Sequence, residues 1–111
     1  MEVHGPAFHA LDEPVQVGAL AQAIAGYFGA ELPGFAHHRF VPQGVSCVRS
    51  GSAGSIAIHT WPEHGLATVD VWMDAERLEQ GRPGLEHWLR EARGCRLVEA
   101  RLRRHGPEDA R

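Results

Sequence analysis

An α+β domain, its antiparallel sheet covered on one face by two helices, is the fold class that three features of this sequence predict. Two segments repeat apolar residues at helical spacing, and the remaining apolar segments are short and bounded by turn residues. The two kinds follow one another in the order β-α-β-β-β-α-β, which places helices against an antiparallel sheet rather than between parallel strands. The third feature is length: 111 residues fill one core. We therefore expect one domain over residues 1–104 and a short polar tail over 105–111.

Residues 3–10 read as a short first strand, and Asp12 to Pro14 as a turn leading into "VQVGALAQAIAGYFGA". There Val17, Leu20, Ile24 and Phe28 form one buried stripe, and Gly29 supplies a stop. "FAHHRFVPQGVSCVRS" holds the strand formers Phe40, Val45 and Val48, with Pro42 and Gly44 marking a bulge or edge. "SIAIHTW" and "GLATVDVWM" flank the turn "PEHG" and predict a hairpin. Leu85, Trp88 and Leu89 predict a helix after Pro83, closed by Gly94, and "CRLVEARL" reads as the last strand.

Composition removes several classes of function. Net charge is −3, and the arginines are scattered, so no basic field is available for nucleic acid. The cluster Arg101, Arg103 and Arg104 is followed at once by Glu108 and Asp109 and reads as a solvated strand end. No apolar run approaches the roughly eighteen residues of a membrane span, and the N-terminus lacks a basic start and an apolar core. A cytoplasmic protein with no membrane partner is the expectation. Cys47 and Cys95 form no CxxC pair and read as free buried thiols. All eleven basic residues are arginine, so no lysine can hold pyridoxal phosphate as a Schiff base.

The central stretches "FAHHRFVPQGVSCV" and "IHTWPEHGLATVDVW" resemble the bacterial S-adenosylmethionine decarboxylase family, ungapped from about Phe35 to Trp72. "VHGPAFHALD" with the helix after it, and the later helix and strand, fit the family's order of elements. The resemblance implies a small α+β subunit that dimerises. It also implies a decarboxylase serving spermidine synthesis, with an N-terminal pyruvoyl group, made from an internal serine by chain cleavage, as electron sink.

Two departures limit what the resemblance carries over. The family's Glu-Ser-His run, with its serine five residues before the motif histidine, falls on Ala53, Gly54 and Ser55. Gly54 has no hydroxyl for the acyl shift and no side chain to become a ketone. The family's cysteine beyond the following strand falls on Asp74, which can move a proton but supplies no thiol. Ser55 points to the opposite strand face from position 54, and Ser52 lies roughly 6–7 Å along a strand. Neither is a good substitute, and we expect no pyruvoyl cofactor.

Other family positions are kept. Ser46 and His59 match residues that assist processing and proton transfer, Phe40 matches an aromatic that stacks on adenine, and Glu63 matches a carboxylate that holds ribose hydroxyls. Each has a plainer reading. His59 can be a half-buried strand histidine, Glu63 a solvated turn residue, and Asp74 the start of the next helix. Trp61, Trp72 and Trp88 read as core or interface residues. His37 and His38 point to opposite faces, and the spacing of His59, Asp74 and that pair matches no ligand motif, so no metal is expected.

The resulting expectation is a homodimer that binds S-adenosylmethionine or a related small molecule. His59, Asp74 and Ser46 are the candidate catalytic residues, and Phe40 and Glu63 the candidate binding residues. Elimination, cyclisation or hydrolysis needs no electron sink, because the sulfonium itself leaves. The alternatives are an inactive partner subunit or metabolite sensor and, least favoured chemically, a decarboxylase using Ser52 or Ser55.

Overall fold

The computed structural model describes residues 1–5, 8, 11–92, 94–98 and 103–104. Strand β1 (Glu2–His4) precedes helix α1 (Pro14–Tyr27), and β2 (Gly34–Arg39), β3 (Val45–Gly51), β4 (Gly54–Trp61) and β5 (Leu66–Met73) follow. Helix α2 (Ala75–His87), a π turn (Trp88–Ala92) and the short strands β6 (Arg96–Val98) and β7 (Arg103–Arg104) complete the described chain. The strands lie in the order β2-β3-β4-β5-β1-β6, with β7 pairing alongside β5. All pairs are antiparallel except β5 with β7.

Alternation along the strands divides the sheet into two unlike faces. Val45 and Cys47 of β3, Ile56 and Ile58 of β4, and Ala67, Val69, Val71 and Met73 of β5 are all buried. They join Val17, Leu20 and Ile24 of α1 and Leu78 and Leu85 of α2 in one core. α1 starts at Pro14, where the missing N–H costs nothing, and ends before Gly29, whose φ of 64° is left-handed. It lies close on the sheet: a Cβ on Gly18 would sit 2.7 Å from Phe35 Cζ. The Arg49 guanidinium covers the Phe35 ring at 4.6 Å and donates from Nε to Gly18 O. The opposite face carries Ser46, Val48, Ala57, His59, Trp61, Thr68 and Asp70, and no described helix covers it.

The α+β class and the two-helix cover stand as the sequence predicts, with three adjustments in detail. The segment read as one bulged strand is a hairpin, β2 and β3, turning through residues 40–44; Pro42 and Gly44 mark a chain reversal, not a bulge. The first strand is described over Glu2–His4, and Phe8, whose N–H donates to Gly5 O, is not in a strand, while residues 6–7 and 9–10 of the expected strand lie outside the described residues. The second helix starts at Ala75, not after Pro83. Asp74 caps its N-terminus, and the helix runs through Pro83, which lies inside it. The last strand is seen over Arg96–Val98, while its predicted continuation at 99–102 and the tail 105–111 lie outside the described residues.

Candidate functional site

Antiparallel register places Ser46 directly opposite His59 on the uncovered face. Ser46 Oγ and His59 Nδ1 are 2.6 Å apart and part-buried, a short hydrogen bond whose donor depends on the imidazole tautomer. Next to it, Thr60 pins the two strands. Val45 N–H donates to Thr60 Oγ1 at 2.9 Å, and Thr60 is buried. The dyad is therefore held by paired backbone on both sides rather than by a loop.

The same row continues to His38 of β2, opposite Ser46, and to Thr68 of β5, opposite His59. The His38 ring meets the Phe40 ring edge-on, with centroids 4.6 Å apart. Phe40 is 47% exposed, and Trp61, whose ring centroid is 6.3 Å from that of His59, is 39% exposed. These are large apolar rings left open to ligand or partner. Glu63 projects from the 3-10 turn Pro62–His64, whose reversal ends at Gly65 in the left-handed region, φ 58°. Ser46, His59, Phe40 and Glu63 thus belong to one end of the sheet.

Gly54 and Asp74 belong to the other end. Gly51 pairs with Gly54 across a two-residue turn, Ser52 and Ala53. Gly54 starts β4, five residues before His59, roughly 16 Å along the strand at about 3.3 Å per residue. Its φ is +143°, and a Cβ built on it would collide with the Trp72 carbonyl oxygen and approach Met73 Cγ to 2.9 Å. Position 54 is therefore closed to any side chain in this backbone, a stronger statement than the missing hydroxyl alone. Ser52, read from sequence as part of a strand, occupies the turn instead.

Asp74 lies next to this turn. A cleft of about 320 Å³ is lined by Gly51, Ser52, Ala53, Gly54, Ser55 and Asp74. Gly54 and Asp74, the two positions that the resemblance marks as departures, line one cleft, and His59 is not among its lining residues. Asp74 Oδ1 accepts from Arg77 N–H at 2.9 Å, and Oδ2 lies 3.4 Å from Arg77 Nε. That is the helix-start reading of Asp74, and within the protomer Asp74 does not meet His59. Arg77, not singled out from sequence, also donates from Nη1 to Phe28 O and Gly29 O, at 3.0 and 2.7 Å. It ties the open carbonyls of the α1 C-terminus to the start of α2. Its position three residues after a capping Asp was the available signal, but its partners are nearly fifty residues away.

His37 and His38 point to opposite faces, as the sequence implies. His37 pairs with buried Cys47 in register and packs on Phe35, with ring centroids 5.1 Å apart. Among the described residues no three His, Cys, Asp or Glu side chains converge as a metal site. Cys47 and Cys95 are both buried, and burial pushes the Cys47 thiol pKa up. No helix of the described residues is long and apolar enough to cross a membrane.

Comparison with known proteins bears on this geometry directly. The model of the S-adenosylmethionine decarboxylase family matches residues 1–83. The chain is 43% identical over 77 residues to the S-adenosylmethionine decarboxylase proenzyme of Moorella thermoacetica, which covers 69% of this chain and 62% of that one. It is 40% identical over 77 residues to the proenzyme of Syntrophomonas wolfei, covering 69% and 61%. The match thus spans about three-fifths of those relatives' length. The crystal structure of adenosylmethionine decarboxylase from Aquifex aeolicus has the same fold, with a TM-score of 0.62 at 24% identity over 90% of this chain and 89% of that one. With its matched segment running from β1 through both hairpins and into α2, the chain belongs to the S-adenosylmethionine decarboxylase family.

Proposed function

We propose that the protein binds S-adenosylmethionine or a closely related adenosyl compound on the uncovered sheet face and acts on it without a pyruvoyl group. One observation carries this reading. The proton-handling pair Ser46 and His59 is intact at 2.6 Å, while position 54 has neither a hydroxyl nor room for a side chain. A decarboxylation leaves an α-carbanion that needs an electron sink. Loss of a neutral thioether from a sulfonium does not: a base removes a proton from the carbon next to the C–S carbon, that electron pair forms a C=C bond, the C–S bond breaks, and sulfur keeps its electron pair as the neutral thioether. His59 is the base in this account: with its Nδ1–H donating to Ser46 Oγ, the neutral ring leaves the Nε2 lone pair free to take the proton. Phe40 stacks on the adenine and Glu63 holds the ribose.

The uncovered face is also where we place a second copy of the chain. Val48 and Trp61 are each about two-fifths exposed on it, and a bare sheet face gains by covering such apolar side chains. Light scattering is expected to give a dimer at micromolar concentration. A monomer there contradicts this part of the proposal. The buried free thiol of Cys47 accords with the cytoplasmic location we propose.

Titration calorimetry with S-adenosylmethionine and methylthioadenosine tests the binding claim. Phe40→Ala should weaken binding by roughly 1–3 kcal/mol, the range for base stacking on aromatic side chains. Product analysis tests the chemistry: turnover present in wild type and lost in His59→Ala, with affinity kept, is the expected result. Absence of any adenosyl binding overturns the proposal. Binding without turnover favours the second reading, a sensor or partner subunit, which is supported by the engagement of Asp74 in capping α2 rather than at His59. The activity named for the relatives would require Ser52 or Ser55 to form the pyruvoyl group, from a turn or from the opposite strand face.

A further inference from the structure

The loop that carries Phe40 is gripped from outside the motif. Residues 40–44 join β2 to β3, and Phe40 N–H closes their base by donating to Gly44 O at 2.8 Å. Gly44 N–H donates in turn to Asp12 Oδ1 at 2.6 Å, a part-buried bond between residues 32 apart in sequence. The other carboxylate oxygen, Asp12 Oδ2, lies 3.4 Å from Arg39 Nη2, and Arg39 immediately precedes Phe40. Arg39 also reaches Glu13 at 3.6 Å. One carboxylate thus holds the residue before Phe40 and the residue that closes its loop.

The bond is not a by-product of helix capping. Glu13 is the N-cap of α1, with no side-chain cap hydrogen bond. Gly44 has φ +108°, and a Cβ there would sit 3.1 Å from Thr60 O, so the backbone conformation that aims this N–H at Asp12 is one few other residues could adopt. Between the two gripped points the loop has little packing of its own: Val41 is 95% exposed. A charge-assisted bond to a backbone N–H is the strong kind, about twice a neutral one.

We propose that Asp12 is a positioning residue for Phe40, fixing the aromatic platform on which the adenine of the ligand stacks. The proposal rests on the adenosyl-binding reading for its functional consequence. Its structural half stands independently. When the competent ring position is occupied only part of the time, apparent affinity falls in proportion to that fraction.

The test uses the full chain and two readouts. The first is NMR of the His38 ring protons, which feel the Phe40 ring at 4.6 Å. In Asp12→Ala they are expected to move toward their positions in Phe40→Ala, while Asp12→Asn, which keeps an acceptor oxygen for Gly44 N–H, holds them near wild type. In the unsubstituted protein the Gly44 amide proton, held by Asp12 Oδ1, is expected to exchange slowly with solvent, so the result does not depend on a variant that folds. The second readout is methylthioadenosine affinity, expected to fall about tenfold in Asp12→Ala if the ring is placed a tenth of the time. It should recover in Asp12→Asn and show no further loss when Asp12→Ala is added to Phe40→Ala. Unmoved His38 signals in Asp12→Ala, or a Gly44 amide that exchanges freely with solvent in the unsubstituted protein, overturn the proposal. So does an equal loss of affinity with and without Phe40. If wild type binds no adenosyl compound, the adenosyl reading fails, and the His38 and Gly44 signals still decide whether Asp12 holds Phe40.

Discussion

Restoring the family's serine by Gly54→Ser should damage this protein rather than reactivate it. The substitution puts a Cβ and a hydroxyl at a buried position with φ +143°, where the Cβ would overlap the Trp72 carbonyl oxygen and press on Met73. A side chain forced into a sparsely populated backbone region costs about 1–3 kcal/mol. Overpacking against neighbouring backbone adds about 1–3 kcal/mol, since Gly54 is paired to Gly51 and the β4–β5 pairing begins at the next residue, Ser55 opposite Trp72. The loss is therefore roughly 2–6 kcal/mol, against about 5–15 kcal/mol for a whole domain. At about 4–8 °C per kcal/mol, the melting temperature should fall by at least roughly 8 °C. Gly54→Ala should lose nearly as much, because the Cβ rather than the hydroxyl causes the damage. Ser52→Ala, in the turn, should stay within about 0.5 kcal/mol of wild type. Circular-dichroism melts measure stability, and intact mass measures cleavage. A Gly54→Ser protein as stable as wild type, or one that cuts itself at position 54, refutes the reasoning.

Three further predictions concern the frame around the site. Gly81→Ala should destabilise despite the better helix former, because its Cβ would collide with Phe28 Cδ1 and Tyr27 O where α2 crosses α1; the steric cost of about 1–3 kcal/mol exceeds a propensity gain of about 1 kcal/mol. Gly26→Ala, with open space around its Cβ, should instead raise the melting temperature. Asp74→Ala should cost about 1 kcal/mol by removing the α2 cap, and Asp74→Ser should recover most of it in urea titrations. The third prediction concerns pH. The Cys47 thiol pKa is raised above its ordinary value of 9.0 by burial, so the unfolded chain ionises first. Its contribution to stability is full below pH 9 and is lost as pH rises toward the folded-state value. Cys47→Ala should remove that alkaline decline, and an unchanged decline would count against it.

Periodicity made the helical stripe of α1 and the β4–β5 hairpin legible, because both are amphipathic and end in turn residues with one conformation available. Pro42 and Gly44 were visible as a break, but a bulge and a hairpin turn use the same residues, and only the pairing of β2 with β3 distinguishes them. The start of α2 was obscured by Gly81, Pro83 and Gly84, which look like breakers; the Asp74 cap and burial of Leu78 and Leu85 outweigh them. At the site, register alone joins Ser46 to His59, which a one-dimensional reading could suggest only through the family motif. The separation of Asp74 from His59, and the bond from Asp12 to Gly44, depend on where the chain returns in space. Local sequence carries no signal for either.

The central claim, that this family member does without a pyruvoyl group, is tested most directly by the intact mass of the purified protein. The account predicts a single uncut chain, because residue 54 supplies neither a nucleophile nor the space for one. Two fragments separated within residues 51–56, the second beginning with a pyruvoyl group, would contradict it and restore the decarboxylase reading.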